Sequence, residues 1–226
     1  MFSYDWNFGR ITAYFDAFQS GLVFTVALSI ATIAFSTALG VTWGVGLARS
    51  APLRTFTTPI LDVLRSLPPL VLVLFGYYFY TRDVIGVSMP AFWTFVFSVG
   101  FNIAAFIADL TRAAILNTPR DFVEVGKAIG LSDRQVLRKV VAPIAIRELL
   151  PPLSYLYIET IKLTSLASVI SVRETVYVAQ SVIVETSRSL EVWIVVAAIY
   201  LVLIFPATFV VRALEWRLKR SAGLVK

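Results

Sequence analysis

The sequence predicts an all-α integral membrane protein with about five transmembrane helices and a two-helix loop. Three observations carry this. Of the 226 residues 58% are hydrophobic and only 15% are charged, with a mean hydropathy of +0.80, which excludes an ordinary soluble domain. Uncharged runs recur at 22–48, 84–108 and 192–211, each long enough to cross about 30 Å of hydrocarbon as a helix. The Lys and Arg residues fall very unevenly on the two sides of these runs.

The elements follow in order. Residues 1–19 mix aromatic side chains with Asp5, Arg10 and Asp16, which suits an interfacial helix leading into the first span. No cleavable signal peptide is expected, because the N-terminus lacks a basic region and the first apolar run is too long. The second span uses 66–81, and its helix is expected to begin near Pro59, with Asp62 and Arg65 at its polar end. The run 84–108 is the third span. A stretch at 149–172, interrupted only by Glu159 and Lys162, is the fourth, and 192–211 is the fifth. The tail 212–226, with Trp216 among basic residues, reads as an anchor at the inner surface. One integral membrane domain, 1–226, fills the chain.

Charge sets the orientation. Fifteen of the 20 basic residues flank one side, among them seven between 112 and 147 and five from Arg212 onward. Only Arg10, Arg82, Arg173 and Arg188 flank the other, and Lys162 lies within a span. The positive-inside rule places the N-terminus outside and the 112–147 segment and C-terminus in the cytoplasm. The net charge of +6 is therefore an orientation signal and not a nucleic-acid footprint.

The polar loop 118–143 has its own local logic. Thr118, Pro119 and Asp121 form a capping pattern at a helix start. Phe122, Val125 and Ile129 then recur at helical spacing as one apolar stripe. Gly130 suits a left-handed stop. Ser132-Asp-Arg-Gln135 is a second capping box, opening a helix that runs toward Pro143.

The chain contains no cysteine and no histidine. Disulfides, thiol nucleophiles, His-based metal sites and Ser-His chemistry are thereby excluded. No G-x-x-x-x-G-K-[ST] loop occurs, so nucleotide hydrolysis is not expected of this chain.

Charges inside spans need a partner or a purpose. Glu159 and Lys162 are one helical turn apart and can pair on one face, together with Thr160, Thr164 and Ser165. This face fits either a translocation path or a structural ion pair. Asp109 and Arg112 share the spacing near the cytoplasmic end of the third span, where a structural or gating role outweighs substrate contact. Asn102 fits a pore lining or an interhelical hydrogen bond. The prolines at 68–69, 143 and 151–152 are read as packing kinks. The run Phe75, Tyr77, Tyr78, Phe79, Tyr80 is an aromatic belt or a contact with a docked protein.

The loop closely resembles the cytoplasmic loop of ABC importer permeases, E-A-A-x3-G-x9-I-x-L-P. Glu124, Gly130 and Pro143 stand at the consensus spacing, while Val125 and Gly126 replace the alanines and Val140 and Ala142 replace Ile and Leu. The resemblance spans roughly residues 20–212 and points to the polar amino-acid branch. Gly21 and Thr25 match its G-x3-T, and 65–70 (Arg-Ser-Leu-Pro-Pro-Leu) resembles R-G-T-P-L-L. Residues 108–113 resemble A-E-I-x-R-A with Asp109 for Glu, 150–153 resemble L-P-P-L, and 162–166 resemble K-D-T-S-L with Leu163 for the polar residue.

What this resemblance implies is a type I ABC importer permease fold and a binding-protein-dependent amino-acid importer in the bacterial cytoplasmic (inner) membrane. The chain would form half of a pore with a second permease subunit, identical or paralogous. Two separate ABC ATPase subunits would bind ATP and Mg, gripping Phe122, Glu124, Val125, Gly126, Ile129, Gly130 and Pro143. An extracytoplasmic amino-acid-binding protein would deliver the solute. No cofactor, metal or nucleic acid is expected on this chain. An ATP-independent secondary transporter or channel, and a membrane enzyme, are the alternatives.

Overall fold

The computed structural model describes residues 4–79, 84, 86 and 88–221, without the side chains of 211, 212 and 214–221. Tyr80, Arg82 and the side chains of the basic tail around Trp216 lie outside the described residues. The helices are α1 (Gly9–Thr12), α2 (Phe15–Arg49), α3 (Ala51–Ser66), α4 (Pro69–Phe79), α5 (Ala91–Leu116), α6 (Arg120–Ala128) and α7 (Asp133–Val136). A π-helical turn (Leu137–Val141) joins α7 to α8 (Ala142–Leu163), which passes into a 3-10 segment (Thr164–Ile170). The last two helices are α9 (Thr175–Thr186) and α10 (Ser189–Ser221).

Among the described residues three helices, α2, α5 and α10 over 189–210, are long and apolar enough to cross a membrane. The number rises to five if each of two bent pairs is one span. One pair is α3 with α4, bent by 104°, and the other is the helix through 133–170 with α9, bent by 50°.

Several expected boundaries are corrected. The second span does not start as a straight helix near Pro59. Pro59 lies inside α3, and the chain turns at Leu67, whose ψ of 134° is extended, because a residue before proline is pushed out of the helical region. The third span begins at Ala91 rather than 84, directly after Pro90. The fourth begins well before 149, since α7, the π turn and α8 are continuous. Helix α9, between the expected fourth and fifth spans, was not anticipated. At the N-terminus, residues 4–7 are not helical, and only the single turn α1 precedes α2, so the expected interfacial helix is reduced to that turn.

The chain forms two compact units: Met1–Ile33, Pro68–Val99 and Ile158–Ala207, and Ala34–Leu67, Gly100–Tyr157 and Thr208–Lys226. In the first, Ile11 and Phe18 pack with Ala179, Val182, Val192 and Val196. Gly21 lets α2 approach the start of α9: a Cβ there would lie 3.1 Å from the Thr175 Cα. One turn on, the Thr25 hydroxyl accepts the Thr175 N–H at 3.2 Å and lies 2.8 Å from the Thr175 hydroxyl. The G-x3-T pattern is thus a close-approach site.

The N-terminal segment of this unit is tied to the start of α10. Tyr4 donates its hydroxyl to the buried Glu191 carboxylate, which holds the Tyr4 phenol above its usual range. The Asn7 N–H donates to the same carboxylate at 3.1 Å. Arg188 bonds the Asp5 carbonyl and Glu191.

In the second unit, Leu47, Leu61, Ala105 and Ala108 form one core cluster with Trp43 and Leu64. Gly40 and Gly44 bring α2 against α5. Added Cβ atoms would lie 2.6 Å from the Ile107 Cβ and 2.5 Å from the Thr111 Cβ.

Candidate functional site

Helix α6 shows why loop 118–143 stands apart from the membrane helices. Its stripe faces outward: Phe122, Val125 and Ile129 are 55%, 62% and 72% exposed. Gly126, one turn after Phe122 and at the edge of this stripe, is buried. A Cβ on Gly126 would meet the Val136 Cγ2 at 3.3 Å and the Val140 Cγ2 at 3.4 Å, so glycine lets α6 lie against α7 and the π turn. The apolar stripe therefore is not used to hold the loop together. It is presented.

The stop after α6 is a Schellman motif. Gly130 has φ of +88°, its N–H donates to the Lys127 carbonyl at 2.9 Å, and the Leu131 N–H donates to the Gly126 carbonyl at 3.1 Å. The Ser132–Gln135 capping box is present in both directions, and Lys127 pairs with Asp133 at 3.0 Å across the turn. Glu124 is exposed on α6.

Two details differ from expectation. Thr118 does not cap α6: its hydroxyl donates back to the Ala114 carbonyl at 3.4 Å, and Pro119 occupies the cap position with no side-chain bond. Thr118 lies two residues past the end of α5 and bonds back to it, and the proline after it holds it away from the cap geometry. Nor does the second loop helix end at Pro143, which lies inside α8. The turn before it is widened, with the Ala142 N–H reaching the Leu137 carbonyl five residues back. Proline cannot donate to the carbonyl four residues earlier, and the helix accommodates this by a local π turn instead of stopping. Asn117 ties the end of α5 to α8 by donating to Glu148 at 2.7 Å.

In the first unit, Lys162 Nζ lies 2.6 Å from Glu159 Oε1. The pair is partly open, with Lys162 half exposed on the surface of the chain. Thr160 is buried beside it. The Thr164 hydroxyl donates to the Ile161 carbonyl at 2.7 Å, and Ser165 donates to the Lys162 carbonyl at 2.8 Å. These back-bonds coincide with the change from α to 3-10 winding at Thr164. Asn102 belongs to the second unit, is buried, and donates to the Leu64 carbonyl at 2.6 Å.

Other functional-looking groups were missed from sequence. Arg65 Nη1 lies 3.0 Å from Asp109 Oδ2, joining the two segments whose motifs were read separately. Asp62 and Arg112 complete the cluster. Glu174, fully buried, caps α9 by accepting the Val176 and Tyr177 N–H groups, each at 2.9 Å. The signal was a charged Arg-Glu pair interrupting apolar sequence at 173–174.

Residues 36–220 match the family described as the binding-protein-dependent transport system inner membrane component. The chain belongs to that family. This permease is 37% identical over 159 residues to the glutamine transport system permease protein GlnP of Escherichia coli, covering 70% of this chain and 73% of GlnP. It is 32% identical over 214 residues to the octopine transport system permease protein OccM of Rhizobium radiobacter, covering 90% and 86%. Among solved structures, an amino acid ABC transporter with histidines matches with a TM-score of 0.85 and 26% identity, covering 95% of this chain and all of that one. The permease has the all-helical type I ABC importer fold, and it is a membrane-spanning importer subunit rather than an ATP-independent transporter.

Proposed function

We propose that this permease forms half of an ATP-driven import pore for a polar amino acid or a close derivative. Its partners are a second permease subunit, two ABC ATPase subunits that hold ATP and Mg, and an extracytoplasmic amino-acid-binding protein. The observation that carries the reading is the outward-facing stripe Phe122, Val125 and Ile129, bordered by buried Gly126 and stopped by left-handed Gly130. An apolar helix face of this kind fits a groove on a partner. A chain with no phosphate-binding loop needs such a grip to receive work from nucleotide hydrolysis elsewhere. Glu124 and Pro143 flank this contact. The amino-acid assignment is supported by the relatives named for glutamine and octopine transport.

The substrate path takes in Glu159, Lys162, Thr164 and Ser165 of the first unit, while Asn102 serves as an interhelical tie in the second. A zwitterion leaving water needs charges and hydroxyls to replace its hydration. The N-terminus is outside, and loop 118–143 and the tail are cytoplasmic, as the basic residues imply.

The test is reconstitution of the four-subunit complex in proteoliposomes with its binding protein, following uptake of labelled amino acids. Uptake is expected only with internal ATP. Accumulation without nucleotide would overturn the reading. Cysteine at Ser132 is expected to be labelled only from the cytoplasmic side, and at Ser189 only from outside; the reverse would overturn the orientation.

A further inference from the structure

The first unit holds a small, open surface cavity of mixed lining that the Glu159–Lys162 face does not include. It measures about 240 Å³ and is lined by Tyr14, Ser20, Arg173, Tyr177, Ser181 and Glu185. That is below the roughly 300–1,000 Å³ usual for drug-sized ligands, so it suits a smaller solute. The wall is mixed, with hydroxyls and two opposite charges on an apolar backing of Val178 and Val182.

Both charges are positioned by the fold. Arg173 stands in the turn between the 3-10 segment and α9, with Val172 and Glu174 buried on either side. Its backbone is fixed by the Val172 N–H donating to the Ala167 carbonyl at 3.1 Å and the Glu174 N–H donating to the Val172 carbonyl at 2.8 Å. Glu185 lies in the last turn of α9 and accepts the Tyr14 hydroxyl at 2.8 Å. That bond raises the Tyr14 phenol above its usual range. Among the described residues Arg173 has no ion-pair partner. The cation and the carboxylate therefore line one small cavity without neutralising each other.

We infer that this cavity is a receiving site for a free α-amino acid, with Arg173 taking the carboxylate and Glu185 the ammonium group. The Ser20, Tyr177 and Ser181 hydroxyls are left for the side chain. A zwitterion complements two separated, opposite charges where a simple anion or cation meets one repulsion for each attraction. The inference rests on the amino-acid import reading and adds a place where the solute is held after leaving the binding protein. By the charge asymmetry, Arg173 and Glu185 are both on the outer side.

The experiment uses the assembled complex in nanodiscs without binding protein. The twenty standard L-amino acids are tested by equilibrium dialysis, and uptake is measured in proteoliposomes with binding protein. The wild-type complex is expected to bind the transported amino acid saturably, but not its N-acetyl or amide-capped form. R173Q and E185Q are each expected to weaken binding about tenfold or more and to raise the KM for uptake, with subunit stoichiometry unchanged. R173K is expected to recover part of the affinity. Wild-type binding and KM in both variants would overturn the site while leaving the import reading intact. Unchanged amino-acid affinity with weakened binding-protein stimulation would assign this face to protein docking and also overturn it. A wild-type complex that transports no amino acid would instead overturn the import reading.

Discussion

Arg65 and Asp109 meet at 3.0 Å, although 44 residues separate them in the chain. Each also has a neighbour on its own helix, Asp62 for Arg65 and Arg112 for Asp109. The four charges thus alternate in sign and lock the end of α3 onto α5. Asn102 adds a second tie between the same two helices by donating to the Leu64 carbonyl.

The charge cluster is testable as a pair. Asp109 is about half exposed, so the coupling is expected to be about 1 kcal/mol or less. Arg65→Gln and Asp109→Asn should each lower the melting temperature of the complex slightly, and the double change should cost less than their sum. Strict additivity in that double-mutant cycle would show that the contact is not energetically coupled.

Gly40 and Gly44 should not tolerate a methyl group. A Cβ at Gly44 would also lie 2.6 Å from the Ala108 carbonyl oxygen, and one at Gly40 would lie 2.7 Å from that of Ala104. These are backbone atoms that cannot step aside. Gly40→Ala and Gly44→Ala are each expected to destabilise by about 1–3 kcal/mol. Gly46→Ala, which meets only the end of the Leu53 side chain at 2.9 Å, should be milder. Thermal unfolding of the purified subunit distinguishes them, and equal behaviour of all three would refute this packing.

The loop stop and the loop stripe should fail in different ways. Gly130 has open space around its missing Cβ, so Gly130→Ala acts through backbone strain of about 1 kcal/mol, and Gly130→Asn should be gentler. Phe122→Ser, Val125→Ser and Ile129→Ser change exposed residues, so stability should move by no more than about 0.5 kcal/mol. Each is expected to weaken association with the ATPase subunits about tenfold. Pull-down and transport-coupled hydrolysis are the measurements. Unaltered association in the triple variant would show that the stripe is not the grip.

Lys162→Met separates a path from a brace. If the pair lines the pore, this variant assembles but takes up less amino acid, and adding Glu159→Gln does not restore uptake. A structural pair behaves oppositely, because the double change removes the unpaired charge and recovers assembly and uptake together. Restored uptake in the double variant would remove Glu159 and Lys162 from the path.

What could be read from residues alone was local. The Schellman stop at Gly130, the Ser132–Gln135 capping box and the Glu159–Lys162 pair all join residues three to five apart. At that range helix geometry dictates who meets whom, whatever the rest of the chain does. The helical membrane class was legible for a similar reason, since an apolar run of sufficient length has few other ways to satisfy its backbone.

Other features were decided only by the tertiary structure. Whether Pro68 breaks a helix and Pro143 is absorbed depends on the turns around them: the chain bends by 104° beside the first and winds into a π turn before the second. Thr118 chose the helix behind it over the one ahead. The Arg65–Asp109 bridge, the Thr25–Thr175 contact and the shared cavity of Arg173 and Glu185 with Tyr14 depend on which helices are neighbours. Hydrophobic periodicity can give a helix its faces, but not the helix that each face meets. That pairing is set by packing of small residues such as Gly21, Gly40 and Gly44, where close approach brings distant polar groups within reach.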